Sequence, residues 1–228
     1  MGSFRYSVKR YVIFAVLIIG SFVFWREEAF LPLSLSLLFI AMMPLFLRFE
    51  AREVKAEETM LIAVLSALAA VGRIPFAAIP SVQPTTFIVI MAGITLGAEN
   101  GFIVGAVAAL VSNLVLGQGP WTPWQMMAWG MVGSSAGLLE KLGGFRRKGA
   151  MEVFGFLWGF LFGWIMNIWH IMGFFDRPTL ALWITSALTS APFDLMHALS
   201  NVTLLLLFGK SWKRILDRMI RKFGLFGS

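Results

Sequence analysis

Eight stretches of this chain are long and apolar enough to be read as membrane crossings, and that restricts the fold more than any other feature. In hydrocarbon every backbone N–H and C=O must be satisfied within the protein, so a spanning segment is a helix or part of a closed barrel. A spanning helix needs roughly 20 apolar residues, with a range of about 17–25. The candidate spans are 9–25, 30–47, 57–72, 84–97, 101–117, 124–140, 151–174 and 187–208, which predicts an all-α membrane protein. The fourth is short. It either starts deeper in the membrane or lines a cavity, where irregular backbone is tolerated. Residues 178–186 are also apolar. With Pro192 near the start of the last span, they are expected to form a separate short segment at the outer surface.

Composition agrees. The chain is 58% hydrophobic and 14% charged, with a mean hydropathy of +0.80, whereas soluble domains carry about 25% charge. The net charge of +7 would suggest a nucleic-acid partner in a soluble protein. Here the basic residues sit between apolar runs, where they set orientation. Sixteen of the nineteen Lys and Arg fall within 5–10, 48–55, 141–148 and 210–222; only Arg26, Arg73 and Arg177 fall on the opposite side. That asymmetry places both termini in the cytoplasm of a cell-membrane protein. The first span, preceded by Arg5, Lys9 and Arg10, imitates a signal peptide. No small-residue cleavage site follows it, so it reads as a retained helix.

The first two spans are rich in Leu, Ile and Phe and poor in small or polar residues. The charged link 48–58 reads as a surface helix. The chain therefore divides into a two-helix appendage over 1–50, a six-helix core over 56–210 and a basic cytoplasmic tail over 211–228.

Polar and aromatic residues concentrate toward the outer ends of the core spans. The connection 72–86 contributes Arg73, Gln83 and Thr85, and Pro84 is placed to open a helix. The connection 113–125 contributes Asn113, Gln118, Trp121, Trp124 and Gln125, with Trp129 one turn further on. Trp164, Asn167 and His170 recur every three residues in one span, and Asp194, His197 and Asn201 share one face of the next. Ionisable groups inside a membrane normally face a bundle interior or a cavity. Together these residues outline one tryptophan-lined pocket suited to an uncharged or amide-rich ligand with a large flat surface. Each also has a plainer reading. The tryptophans fit an interfacial belt, Asp194 and His197 fit a helix-knitting pair, and Arg73 fits a helix end.

Small-residue stripes let helices approach closely. Ala63-x-x-x-Ala67, Gly101-x-x-x-Gly105-x-x-x-Ala109 and Gly155-x-x-x-Gly159-x-x-x-Gly163 are such stripes, serving either packing within the chain or docking of a partner.

Several chemistries are excluded. With no cysteine there is no disulfide, thiolate metal site or Cys nucleophile. Gly133-Ser-Ser-Ala-Gly137 matches the pattern of a hydrolase nucleophile, but that motif needs a strand-to-helix elbow, and this one lies within an apolar run. His170, Asp194 and His197 have no H-E-x-x-H-like spacing, so no metal is expected. There is no phosphate-binding G-x-x-x-x-G-K-[ST] loop and no inverted repeat. A transport role would therefore need an energised partner.

Residues 57–140 resemble the S components of energy-coupling factor (ECF) vitamin transporters. The runs Gly72–Thr86 and Leu116–Gln125 look most like the cobalamin-specific members. The resemblance implies a six-helix fold that binds a vitamin at its outer face, with no catalytic residues and no cofactor of its own. ATP would be hydrolysed by two cytoplasmic ATPases acting through a transmembrane coupling subunit. Ala63 and Ala67 match the family's docking motif, and the S component would topple in the membrane to carry ligand inward. The two N-terminal spans depart from the family's six. A riboflavin-like or modified-base ligand, or a membrane enzyme acting on lipid or isoprenoid substrates, are the competing readings.

Overall fold

The computed structural model describes residues 39, 42, 43, 46, 47, 55–175 and 177–226. The span expected at 9–25, nearly all of that at 30–47, and the link 48–54 lie outside the described residues. The core is helical: α1 (Ala56–Arg73), α2 (Pro84–Leu96), α3 (Ala98–Leu116), α4 (Thr122–Lys141), α5 (Ala150–Phe174), α6 (Leu180–Leu204) and α7 (Lys210–Phe223). A five-residue π segment, Leu205–Gly209, joins α6 to α7.

The termini follow local chemistry. Glu57 and Glu58 occupy the first turn of α1 and Arg73 its last, complementing the helix dipole. Pro84 opens α2 where its missing N–H costs nothing. The Thr179 hydroxyl accepts the Leu182 N–H at 3.2 Å to cap α6. Gly224, at φ 57°, closes α7.

Because the helices alternate in direction, α1 and α3 end, and α2 and α4 begin, at one end of the bundle, here called the mouth. α5 ends and α6 begins there too. Among the described residues, three contacts help to tie together the opposite end, the base. Lys55 Nζ donates to the Gly224 carbonyl at 2.6 Å, the Phe226 N–H donates to Glu58, and Lys213 pairs with Glu140 at 3.2 Å. The basic C-terminal stretch is therefore a docked helix whose Leu216 and Ile220 are buried.

α2 explains why the fourth span is short. Its 13 residues reach about 20 Å, less than the roughly 30 Å of a hydrocarbon core. Eleven of them, including Thr85, Thr86 and the run Phe87–Ile94, are buried. α2 packs against α1, α3, α4, α5, α6 and α7, so its ends meet protein rather than lipid. α2, α3 and α4 meet backbone to backbone at Gly93, Gly101 and Gly133. A Cβ on Gly101 would lie 2.6 Å from Gly93 Cα and 2.7 Å from the Gly133 carbonyl oxygen.

The glycine stripes are therefore spent within the chain. Gly105 faces the backbone of Trp129, while Gly155, Gly159 and Gly163 face Leu205, Ala198 and Asp194 across the α5–α6 pair. The α1 stripe differs, since Ala63 and Ala67 are exposed. Met42 is buried in the core, and the Phe46 ring stands edge-on to Phe102 at 6.3 Å.

One expectation is corrected. Residues 178–186 are not a separate segment, because α6 runs unbroken from Leu180 through Pro192. Proline removes one backbone N–H, but membrane helices tolerate this when nearby hydroxyls bond to the backbone. The carbonyl left without that N–H is that of Leu188, one turn back; the Thr189 hydroxyl bonds instead to the Thr185 carbonyl, at 2.9 Å. By length and composition, α3, α5 and the 44-residue run Leu180–Phe223 are each apolar enough to cross a membrane.

Candidate functional site

At the mouth, the α1 terminus delivers Arg73 onto α3. Its Nη1 donates to Ser112 Oγ at 2.9 Å and to Asn113 Oδ1 at 2.6 Å, and its guanidinium sits 5.0 Å from the Trp129 ring centroid. Arg73 has no carboxylate partner among the described residues. Its charge is held by dipoles and a π face.

Asn113 relays this contact to α4. Its amide donates to Thr122 Oγ1 at 2.9 Å and to Gln125 Oε1 at 2.8 Å. Thr122 donates in turn to Gln118 Oε1 at 2.8 Å, while Gln118 Nε2 reaches the Leu110 carbonyl at 3.0 Å. Arg73, Asn113, Gln118 and Gln125, singled out in the sequence, thus form one network. Ser112 and Thr122 complete it.

A second network runs deeper. Trp129 Nε1 donates to Thr86 Oγ1 at 2.9 Å, and Thr86 Oγ1 lies 2.7 Å from His197 Nε2. Thr86 accepts from the indole, which leaves its own proton free to donate to His197. The Phe162 ring stands against His197 at 5.3 Å. Trp129, fully buried, is therefore a joint between networks rather than part of a surface belt. Thr85 faces elsewhere, its hydroxyl bonded to the Ala69 carbonyl at 2.8 Å, and fastens α2 to α1.

A third cluster lies between α5 and α6. Asn167 Nδ2 donates to Ser190 Oγ at 2.9 Å, and Ser190 donates to Asp194 Oδ2 at 2.8 Å. Asp194 and His197 therefore do not pair with each other; they serve separate networks. Gly163 leaves room for the Asp194 carboxylate, which a Cβ there would strike.

Toward the mouth this helix pair opens into a cleft of about 440 Å³, lined by Asn167, His170, Thr185, Ser186, Thr189, Ser190 and flanking Phe175 and Phe193. His170 is exposed on the cleft, its ring 5.2 Å from that of Phe174.

Three polar atoms at this end are buried without a hydrogen-bond partner: Gln83 Oε1, Trp124 Nε1 and Trp169 Nε1. Buried polar groups are nearly always paired, so each of these three lacks the partner that a water or a ligand would supply. The Trp121 ring stands edge-on to Trp169 at 5.9 Å and links the α4 side to the α5 side. Sequence reasoning passed over Trp169, although it lies between Asn167 and His170, which were both singled out. It also passed over Thr86 and Ser190, whose only signal is proximity to named residues.

None of this assembly suggests bond-making chemistry. Ser134 and Ser135, of the hydrolase-like motif, lie inside α4 and donate to the Met131 carbonyl at 3.3 and 2.6 Å. A family model described as the substrate-specific component of ECF transporters matches residues 59–209. No curated protein and no solved structure matches the chain.

Proposed function

Because this chain belongs to the family of ECF transporter substrate-specific components, we propose that it captures a vitamin at the mouth described above, with cobalamin as the preferred ligand. A chain of this family is a multi-pass membrane transport component, not an enzyme, and works with a coupling subunit and ATPases. The mouth faces the outside of the cell in this reading, and both termini face the cytoplasm. This orientation matches the positive-inside asymmetry of the sequence.

The observation that carries the binding site is the set of buried, unpartnered polar atoms on Gln83, Trp124 and Trp169 at the mouth, the end of the bundle at which the α5–α6 cleft also opens. An amide-rich ligand supplies carbonyls for the two indole N–H groups and an N–H for Gln83. Its flat ring system can stack on the tryptophans. Arg73 stiffens the floor of the mouth from α1, and Asn113, Gln118, Trp121 and Gln125 hold the α3–α4 rim. Asn167, His170 and Asp194 furnish the α5–α6 side. Trp129, His197 and Thr85 support these walls from beneath. The preference for cobalamin comes from the likeness of the two mouth segments, 72–86 and 116–125, to those of cobalamin-specific members.

Ligand capture alone moves nothing across the membrane. Ala63 and Ala67 lie on an exposed face of α1 together with Met60, Val64, Leu68 and Val71. The small side chains on that face suit close approach by a partner helix. This face is the proposed dock for the coupling subunit.

The cleft volume favours a second reading. About 440 Å³ suits a smaller heterocycle such as riboflavin or a modified-base precursor. Cobalamin is larger than this cleft and would have to reach beyond it, across the rest of the mouth. The test is to purify the protein in detergent, add each vitamin in turn, wash, and read the visible absorbance of what is retained. Stoichiometric retention of cobalamin is the expected result. Retention of a flavin instead selects the second reading, and retention of neither by folded protein rejects both.

A further inference from the structure

We propose that a basic cleft between α5 and α7, at the base of the bundle, binds the headgroup phosphate of an anionic phospholipid. The cleft has a volume of about 340 Å³ and is lined by Met151, Lys210, Lys213, Arg214, Asp217 and Arg221. Lys210, Arg214, Asp217 and Arg221 are spaced by four, three and four residues, which aligns them along one face of α7. Lys213 is committed, lying 3.2 Å from both Glu140 and Asp217, and it neutralises the one carboxylate in the cleft. Lys210, Arg214 and Arg221 are exposed and have no ion pair with any described residue. Three exposed cations lining one concavity give it a net positive charge that attracts an anion.

Depth and flanking surface identify the anion's source. Leu206, Leu207 and Phe208, just before Lys210, are 64%, 67% and 45% exposed, as a surface facing acyl chains would be. Lys210 is the first charged residue beyond that apolar wall, at the level of the headgroups. On another flank of α7, Ile215, Met219 and Phe223 recur every four residues and are also exposed. A soluble phosphate would use the cations alone. A phospholipid uses the cations for its headgroup and the apolar flank for its chains, the arrangement of an interfacial amphipathic helix. The proposal takes from the transporter reading only the presence of a membrane, and its test does not involve transport.

The test is native mass spectrometry of the full chain in detergent with added phosphatidylglycerol, phosphatidylcholine or inorganic phosphate. One retained phosphatidylglycerol is expected, with little phosphatidylcholine and no phosphate adduct. With each basic residue worth roughly a fivefold factor near a membrane surface, K210Q/R214Q/R221Q should weaken retention on the order of a hundredfold. The control R147Q/K148Q, in the exposed turn after α4, should retain lipid as the wild type does. If the triple variant fails to fold, the wild type is titrated with salt, and phosphatidylglycerol retention should fall steeply with ionic strength. Equal retention of phosphatidylcholine, undiminished binding by a folded triple variant, or salt-independent retention overturns the site. Phosphate binding as tight as that of phosphatidylglycerol overturns the lipid assignment. Loss of vitamin binding in the separate assay above would leave this result untouched.

Discussion

Thr86→Val tests the deeper network with little change of shape. The Thr86 hydroxyl is fully buried and joins three helices, accepting from Trp129 on α4 at 2.9 Å and lying 2.7 Å from His197 on α6. Valine keeps the branched volume but leaves the indole N–H and the His197 nitrogen without a partner. In water-soluble proteins each orphaned group costs about 1–3 kcal/mol. Inside a bilayer the penalty is smaller, averaging about 0.6 kcal/mol and reaching about 1.7 per interaction, because the unfolded state in the membrane also finds partners. Two lost bonds therefore put the loss at about 1–3 kcal/mol. For a chain of this size each kcal/mol moves the midpoint by about 2–4 °C, so the midpoint should fall by roughly 3–10 °C. The assay is thermal unfolding in detergent followed by size-exclusion chromatography, since thiol-reactive dyes have no cysteine to report on. Thr86→Ser, which retains the hydroxyl, should recover most of the loss. A Thr86→Val midpoint within 1 °C of wild type, or a Thr86→Ser variant that is equally unstable, would refute the argument that the hydroxyl is the joint.

The remaining predictions concern the mouth, the dock and the α5–α6 seam. Trp169→Phe keeps the ring against Trp121 but removes the open N–H; it should weaken vitamin binding about tenfold, the scale of one hydrogen bond, with an unchanged unfolding midpoint. Trp124→Ala and Gln125→Ala should each weaken binding measured by equilibrium dialysis, while membrane insertion stays intact. Ala63→Leu together with Ala67→Leu should abolish vitamin uptake by cells and spare ligand binding by the purified protein. Gly159→Ala would drive a methyl into Ala198, 2.6 Å from its Cβ. It should cost about 1–3 kcal/mol, seen as a lower unfolding midpoint.

How far the sequence reached differs from element to element. The core helices were legible because apolar run length and the proline and glycine signals at their ends act locally. Pro84, read from the sequence as a helix opener, opens α2 by its own backbone chemistry. Two exceptions were Pro192, read as the mark of a break, and the stretch 211–228, read as a tail although most of it is the docked helix α7. Whether proline ends a helix depends on which neighbouring groups satisfy the backbone, and that is a property of the folded helix. The mouth was legible as a concentration of polar and aromatic residues, but not the direction of each side chain. Thr85 and Thr86 are adjacent and chemically identical. A helix turns about 100° per residue, so one bonds back to α1 and the other joins Trp129 to His197.

The sequence by itself determined that this chain is helical, membrane-spanning and basic at one end, because hydropathy and charge act through composition and spacing alone. The tertiary structure decided which stripes were consumed by packing. Gly101, Gly105, Gly155 and Gly159 meet neighbouring backbone or buried side chains, whereas Ala63 and Ala67 remain open. It also decided which polar atoms were left without partners at the mouth and which cations were left unpaired at the base. Partnership is a long-range property: Arg73 and Asn113 are forty residues apart, Thr86 and His197 more than a hundred. Only the packing of α1 against α3, and of α2 against α6, brings such groups within hydrogen-bonding distance.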